Sequence, residues 1–327
     1  MKVLFIGGTG NISSAVSQLA ISKGIDLTLL QRGNRGINIP GATYLMQDIN
    51  QPAQVAAALN SQQFDVVVNW INFKVSDIER DIELFRDITK QYIFISSASV
   101  YQKPLQHPVI TESTPLCNPF WEYSRNKIAC EERLMQEYLN TGFPVTIVRP
   151  SHTYDTVFPV ALGSWNDFTI VDRMRRGGKI IVHGDGSSLW TVTHSDDFAK
   201  GFVGLLGNAQ AIGEAFHITS DELLTWNQIY QILANAAGVE ANIIHIPSDF
   251  IVDIEPGQCG NLYGDKMGSS IFDNTKIKRF VPEFKATIPF SEGIRRTIAW
   301  YEADPARMRI IDGNNTMLDR IIAAYER

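Results

Sequence analysis

Cysteine is scarce in this chain of 327 residues: three, at positions 117, 130 and 259. None forms a C-x-x-C pair or sits in a histidine-rich metal pattern. That argues against a disulfide scaffold and against a zinc site, so no metal is expected. The sparse, odd count fits a reducing cytoplasm. Long hydrophobic runs are also missing. No apolar stretch reaches the ~18 residues of a membrane span. The apolar run at the N-terminus is too short for a signal peptide and reads as a first strand. Positive charge is not in excess either: Lys and Arg number 29 against 35 Asp and Glu, for a net charge of −6. Nucleic acid and anionic membranes are therefore not the expected partners. Basic clusters at Arg173, Arg175, Arg176 and Lys179, and at Lys276, Lys278 and Arg279, are short and read as solvated surface. There is no repeat and no low-complexity tract. What remains is an ordinary globular composition, 44% hydrophobic and 20% charged, long enough for one large domain and a smaller one.

The most informative stretch is Lys2 to Ser13, KVLFIGGTGNIS. Val3 to Ile6 suit a buried strand. Gly7, Gly8 and Gly10 follow, and then a helical segment from Ile12 to Lys23. Strand, glycine turn and helix N-terminus together make a phosphate cradle. Glycines let the backbone approach a pyrophosphate, and free N–H groups at the helix start face its charge. The spacing Gly7-x-x-Gly10-x-x-Ser13 departs from G-x-G-x-x-G, but its place after a strand and before a helix points to dinucleotide binding.

Further strands are expected at 26–30, 43–46, 64–70, 91–96 and 145–150, with helices at 52–59 and 121–140 and a helical stripe at Ile78, Ile82, Phe85 and Ile88. FDVVVNW at 64–70 is a continuous apolar run typical of a strand covered on both faces. Alternating strands and helices imply an α/β fold: a Rossmann-type, doubly wound parallel sheet. After Pro150 the regularity breaks. A helix near 195–207 and a strand near 215–218 return to the first sheet. A helix at 224–237, a strand at 242–246, a loop-rich stretch at 254–270 and a helix at 291–302 follow. The expected plan is a dinucleotide-binding domain of residues 1–150 plus about 191–221. A smaller C-terminal substrate-binding lid domain, interleaved with it, takes about 151–190 and 222–327.

Tyr123-Ser124-Arg125-Asn126-Lys127 carries the chemistry. On a helix, residues four apart share a face, so the Tyr123 hydroxyl and the Lys127 ammonium point into one cleft. A nearby ammonium favours the phenolate and lowers the tyrosine pKa, which suits a general acid/base acting on a substrate hydroxyl or carbonyl. Ser96, Ser97 and Ser99 lie at the C-terminal end of a predicted strand, where the ligand crevice of an open α/β sheet is found.

Taken in order, Gly7-Gly8-Thr9-Gly10-Asn11-Ile12-Ser13, Asp48-Ile49, Ser97 to Tyr101, Tyr123 to Lys127, Arg149-Pro150, Gly184-Asp185-Gly186 and His194 to Asp197 span nearly the whole chain. With these residues the chain resembles the extended short-chain dehydrogenase/reductase family, of the nucleotide-sugar epimerase/dehydratase type. The resemblance implies Ser97, Tyr123 and Lys127 as the catalytic set. Tyr123 moves the proton, Lys127 binds the nicotinamide ribose and tunes Tyr123, and Ser97 orients the substrate oxygen. Gly7, Gly10, Asn11, Ile12, Asp48 and Ile49 are implied at the cofactor, with Ser99 at the substrate. It also implies a small-molecule substrate and a homodimer built on the helices near 77–89 and 121–139.

The chain departs from the family at several points. The end of the second strand reads Leu30-Gln31-Arg32-Gly33-Asn34-Arg35, with no carboxylate for the adenosine ribose. Arg32 suits a 2′-phosphate. The cofactor is NADP or NAD, with NADP favoured. Ser13 replaces the third glycine, and Gln102 replaces the glycine usual after the Val-Tyr pair. Trp190 stands where a diphosphate-binding arginine is usual, and tryptophan cannot give charge-assisted bidentate bonds. Either Arg173, Arg175 or Arg176 substitutes, or the substrate is not a nucleotide sugar. Trp190 and His152 are candidate substrate residues, Lys74 a weaker one, while His183 and His194 read as structural. Three functions stay open: a cofactor-recycling epimerase or dehydratase acting on a sugar-like substrate, a net NADPH-dependent reductase of another substrate, and a non-catalytic nucleotide-sensing or RNA-associated protein.

Overall fold

The most apolar segments of the chain assemble into one seven-stranded sheet. The structure is a computed structural model, and it describes every residue except Arg35, Ser61 and Ser164. The strands are β1 (Lys2–Ile6), β2 (Asp26–Gln31), β3 (Thr43–Met46), β4 (Val66–Asn69), β5 (Tyr92–Ile95), β6 (Val145–Pro150) and β7 (Ala215–Ile218). Their order is β3-β2-β1-β4-β5-β6-β7, and every pairing is parallel. Val3 sits opposite both Leu27 and Val66, so β1 is central. Alternate residues serve opposite faces. Val3, Phe5, Val66 and Val68 pack on one side with Phe198 and Phe202. Leu4, Ile6, Val67 and Phe94 pack on the other with Ile82 and Leu134. That double burial explains why these strands read as unbroken apolar runs.

Four helices, α1 (Ser13–Ser22), α2 (Pro52–Leu59), α3 (Val75–Phe85) and α4 (Glu122–Thr141), fill the crossovers of this sheet. Pro52 opens α2, where its missing N–H costs nothing. The Asp77 carboxylate accepts the N–H groups of Phe73 and Lys74 and so starts α3. Gly142, at φ 76°, ends α4. Strand order reverses between β1 and β4, and the crevice above that switch point is where an open α/β sheet binds ligands.

Beyond β6 the chain builds a second core around Phe158, Trp190, Trp226, Tyr230, Ile294 and Tyr301. Short strand pairs frame it. His152–Tyr154 runs parallel to Val192–His194, and Ile180–His183 to Ile243–Ile246. The stretch 254–270 is not the loop that its glycines suggest. Cys259–Asn261 is helical and Leu262–Lys266 forms a π-helical turn. Gly260 and Gly264 are there for close approach. A Cβ at Gly260 would lie 2.4 Å from Trp121 Cδ1, and one at Gly264 2.9 Å from Trp121 Cβ. Helices at Ser248–Ile254, Thr275–Phe280 and Asp312–Tyr325 were also unmarked by sequence pattern. No helix among the described residues is long and apolar enough to cross a membrane.

Candidate functional site

A cleft of about 790 Å³ lies over the C-terminal ends of the central strands, and the expected site residues line it. At one end is the glycine turn. Gly7 and Gly8 have φ of 96° and 97°, a region L side chains rarely adopt, and a Cβ on Gly8 would meet Leu29 Cδ2 at 2.6 Å. The Gly10 N–H donates to Ser13 Oγ at 2.8 Å, so the serine in place of the third glycine fastens the turn. No side chain caps α1 and no acid lies in its first turn. Asn11, Ile12 and Ser13 line the cleft there, a donor-rich helix start of the kind that holds phosphate. The cradle therefore fits a dinucleotide pyrophosphate. The Asn11 side chain, however, is committed elsewhere. It donates to Thr153 O at 3.0 Å and accepts the Thr156 N–H, tying the turn to the segment after β6.

Next along the cleft are Arg32, Asp48 and the buried Ile49. Arg32 Nη1 stands 3.8 Å from Asp48 Oδ2, so the guanidinium expected to meet a 2′-phosphate already faces a carboxylate. Arg35, two residues beyond Gly33, lies outside the described residues.

Ser97, Tyr123 and Lys127 meet at the middle of the cleft. Lys127 is buried and donates to two main-chain carbonyls, Asn72 at 2.6 Å and Ile95 at 2.8 Å. Burial pushes its ammonium down to about 8. Below it, the fully buried Asp81 carboxylate accepts from Asn69, Asn72 and Tyr92 and is ion-paired to Arg80. That network holds Asn72, and Asn72 holds Lys127. The expected depression of the Tyr123 pKa is not seen. Burial raises it, with the hydrogen bond from Ser97 acting against burial and the Asp265 carboxylate adding to it. Lys127 Nζ lies 5.8 Å from the Tyr123 ring centre and is turned to carbonyls, so desolvation prevails. Ser99 lines the cleft but is buried and braced. Its Oγ lies 2.9 Å from Ser97 Oγ and accepts from Ser124 at 2.7 Å.

The far end is aromatic. His152 is buried, stacked on Trp165 at 4.7 Å and 7°, and neither ring nitrogen has a partner. Burial drives its pKa well below the ordinary value, so the ring is neutral. Trp190 lines the cleft and also belongs to the second core, packed on Trp226 at 5.6 Å. Arg173, Arg175 and Arg176 do not line the cleft. They pair with Asp319, Glu302 and Asp172, and Arg173 is buried rather than solvated. Lys74 is exposed and does not line the cleft either. His183 contacts Lys266 O at 3.0 Å, and His194 accepts the Asp196 N–H at the start of its helix, both structural tasks. Sequence reasoning missed Trp121, Trp165, Asn261, Asp265 and Lys266, all of which line the cleft. No cluster of His, Cys, Asp or Glu suited to a metal occurs among the described residues.

A parallel doubly wound sheet with a glycine cradle, a helix-borne Tyr-x-x-x-Lys and an adjacent serine defines a dinucleotide-dependent enzyme of the extended short-chain dehydrogenase/reductase class. The family model described as NAD dependent epimerase/dehydratase matches residues 3–219, and the chain belongs to that family. It is 28% identical over 266 residues to the chloroplast stem-loop binding protein of 41 kDa b from Arabidopsis thaliana, covering 76% of this chain and 67% of that one. It is 23% identical over 334 residues to a UDP-N-acetyl-alpha-D-glucosaminuronate decarboxylase from Bacillus cytotoxicus, covering 92% and 97%. In fold it is similar to the UDP-glucuronic acid 4-epimerase of Bacillus cereus, solved with UDP-glucuronic acid and NAD. The TM-score is 0.73 at 17% identity, over 93% and 99% of the two chains.

Proposed function

We propose that this protein uses NAD to oxidise a hydroxyl-bearing carbon of a nucleotide sugar, or NADH to reduce the corresponding carbonyl, with Tyr123 as the general acid/base. The carrying observation is that Ser97, Tyr123 and Lys127 share one cleft with the glycine turn. Ser97 orients the substrate oxygen, and Tyr123 takes or returns its proton. Lys127, held by Asn72 and Ile95, presents its ammonium to the ribose side. NAD, when bound, supplies the hydride acceptor. Gly7, Gly10 and the main chain of Asn11 and Ile12 hold its pyrophosphate, and Asp48 and Ile49 its adenosine end. NAD is preferred over NADP because Asp48 offsets the Arg32 charge that a 2′-phosphate needs. Relatives that act on UDP- and dTDP-sugars support the substrate class.

The chain works as two lobes, residues 1–150 with about 191–221 for cofactor and the rest for substrate. It acts in the cytoplasm as a homodimer through α3 and α4, which light scattering tests. Tyr123→Phe abolishes turnover of the nucleotide sugar while NADH affinity changes less than threefold. Persistent turnover refutes the role of Tyr123. A second reading, RNA association, is favoured by the similarity to the stem-loop binding protein. Retention of an RNA stem-loop on a filter at about 0.2 M salt supports it, since weak phosphate electrostatics fade there.

A further inference from the structure

We propose that the substrate end of the cleft accepts a neutral, hydroxyl-bearing sugar ring and discriminates against one bearing a carboxylate, with Asp265 setting that preference. The inference rests on the reading above, which puts the reacting carbon at Ser97 and Tyr123. Asp265 and Lys266 end the π-helical turn Leu262–Lys266, a distortion that often marks functional positions. Both residues line the cleft. Asp265 shares the cleft with Tyr123, and its carboxylate adds to the burial that raises the Tyr123 pKa. Lys266 lies 6.0 Å from the Trp121 ring centre. Its Nζ is already taken, 2.9 Å from Asp265 Oδ2 and 2.8 Å from Asn261 Oδ1.

Among the described residues, the other cations near the cleft are also committed. Lys103 sits behind Trp190, donates to Asp265 O and Ser270 Oγ, and does not line the cleft. Lys127 serves two carbonyls, and Arg32 faces Asp48 at the opposite end. Polar groups at this end include the hydroxyls of Ser97, Ser151 and Thr153, and, buried in its wall, the neutral His152 ring, with one donor and one acceptor nitrogen, and the Trp190 indole N–H. None of these nitrogens has a partner. A sugar hydroxyl both donates and accepts and so matches this set. A carboxylate only accepts, and it would meet Asp265 with no unpaired cation among the described residues to offset the repulsion.

The test is calorimetric titration of UDP-glucose and UDP-glucuronate into the NAD-loaded Tyr123→Phe protein, in which chemistry is silenced. UDP-glucose is expected to bind at least tenfold more tightly. Adding Asp265→Asn frees Lys266 to meet the sugar carboxylate and narrows the ratio to threefold or less. Asp265→Glu keeps the charge and keeps the discrimination. Equal or tighter binding of UDP-glucuronate, an unchanged ratio in Asp265→Asn, or no binding of UDP-glucose overturns the inference. NADH fluorescence titration of the same proteins without added NAD separates the two readings. If NADH binds while the sugar results fail, only the substrate inference falls. If the unmutated chain does not bind NADH, the cofactor reading falls and takes this inference with it.

Discussion

Replacing Lys127 by methionine separates what this residue costs the fold from what it does in the cleft. The side chain is 3% exposed. Burial pushes its ammonium down from 10.5 to about 8. At about 1.4 kcal/mol per pH unit, keeping it charged at pH 7 costs the folded state about 3 kcal/mol. The unfolded chain holds this proton up to about pH 10.5, whereas the folded chain releases it near 8. Below pH 8 both states carry it, and the cost is present in full. Between 8 and 10.5 the unfolded chain binds the extra proton, so this contribution to stability rises with pH. Methionine removes the charge but leaves two buried carbonyls, of Asn72 and Ile95, without their donor, a loss of about 1 kcal/mol each and about 2 kcal/mol together. The variant should therefore be more stable than the parent by about 1 kcal/mol at pH 7 in urea denaturation. The gain should vanish or reverse by pH 10.5. NADH affinity should fall in the same protein. A variant that is less stable at pH 7, or a difference that does not move with pH, refutes the assignment of a strained, desolvated ammonium.

Three further outcomes follow from the same geometry. Glu131 and Arg149 form a buried bidentate pair, with Nη2 2.6 Å from Oε2. Glu131→Gln leaves the guanidinium uncompensated and should cost about 3–5 kcal/mol by urea denaturation, and a loss below about 1 kcal/mol would rule the pair out as a fixed element. Gly8→Ala puts a Cβ at φ 97° and 2.6 Å from Leu29 Cδ2, so both melting temperature and NADH affinity should drop. An unchanged NADH dissociation constant would remove the turn from the cofactor site. Asp81→Asn disturbs the acceptor shared by Asn69, Asn72 and Tyr92 and loosens Asn72 beneath Lys127. Its expected mark is a moved pH dependence of NADH binding, which a merely destabilised sheet would not give.

The sheet was legible because every central strand is buried on both sides, leaving an apolar run that admits few other readings. Ser97, Tyr123 and Lys127 were legible because strand ends and helix spacing place them without reference to distant residues. What failed were properties that depend on contacts across the chain. Four-residue spacing brings Lys127 beside Tyr123, but it cannot report that Asn72 and Ile95 claim the ammonium or that burial outweighs its field. Glycine is ambiguous in the same way. Gly7 and Gly8 take positive φ, whereas Gly260 and Gly264 do not, and serve instead to admit Trp121. Both uses look identical in a sequence. Reading the second pair as loop punctuation hid the helical turn that carries Asp265 and Lys266 into the cleft. Asp265 and Lys266 were thus missed for a physical reason: their turn is seated by close packing of Gly260 and Gly264 on Trp121, more than a hundred residues away, and local periodicity carries no trace of such packing.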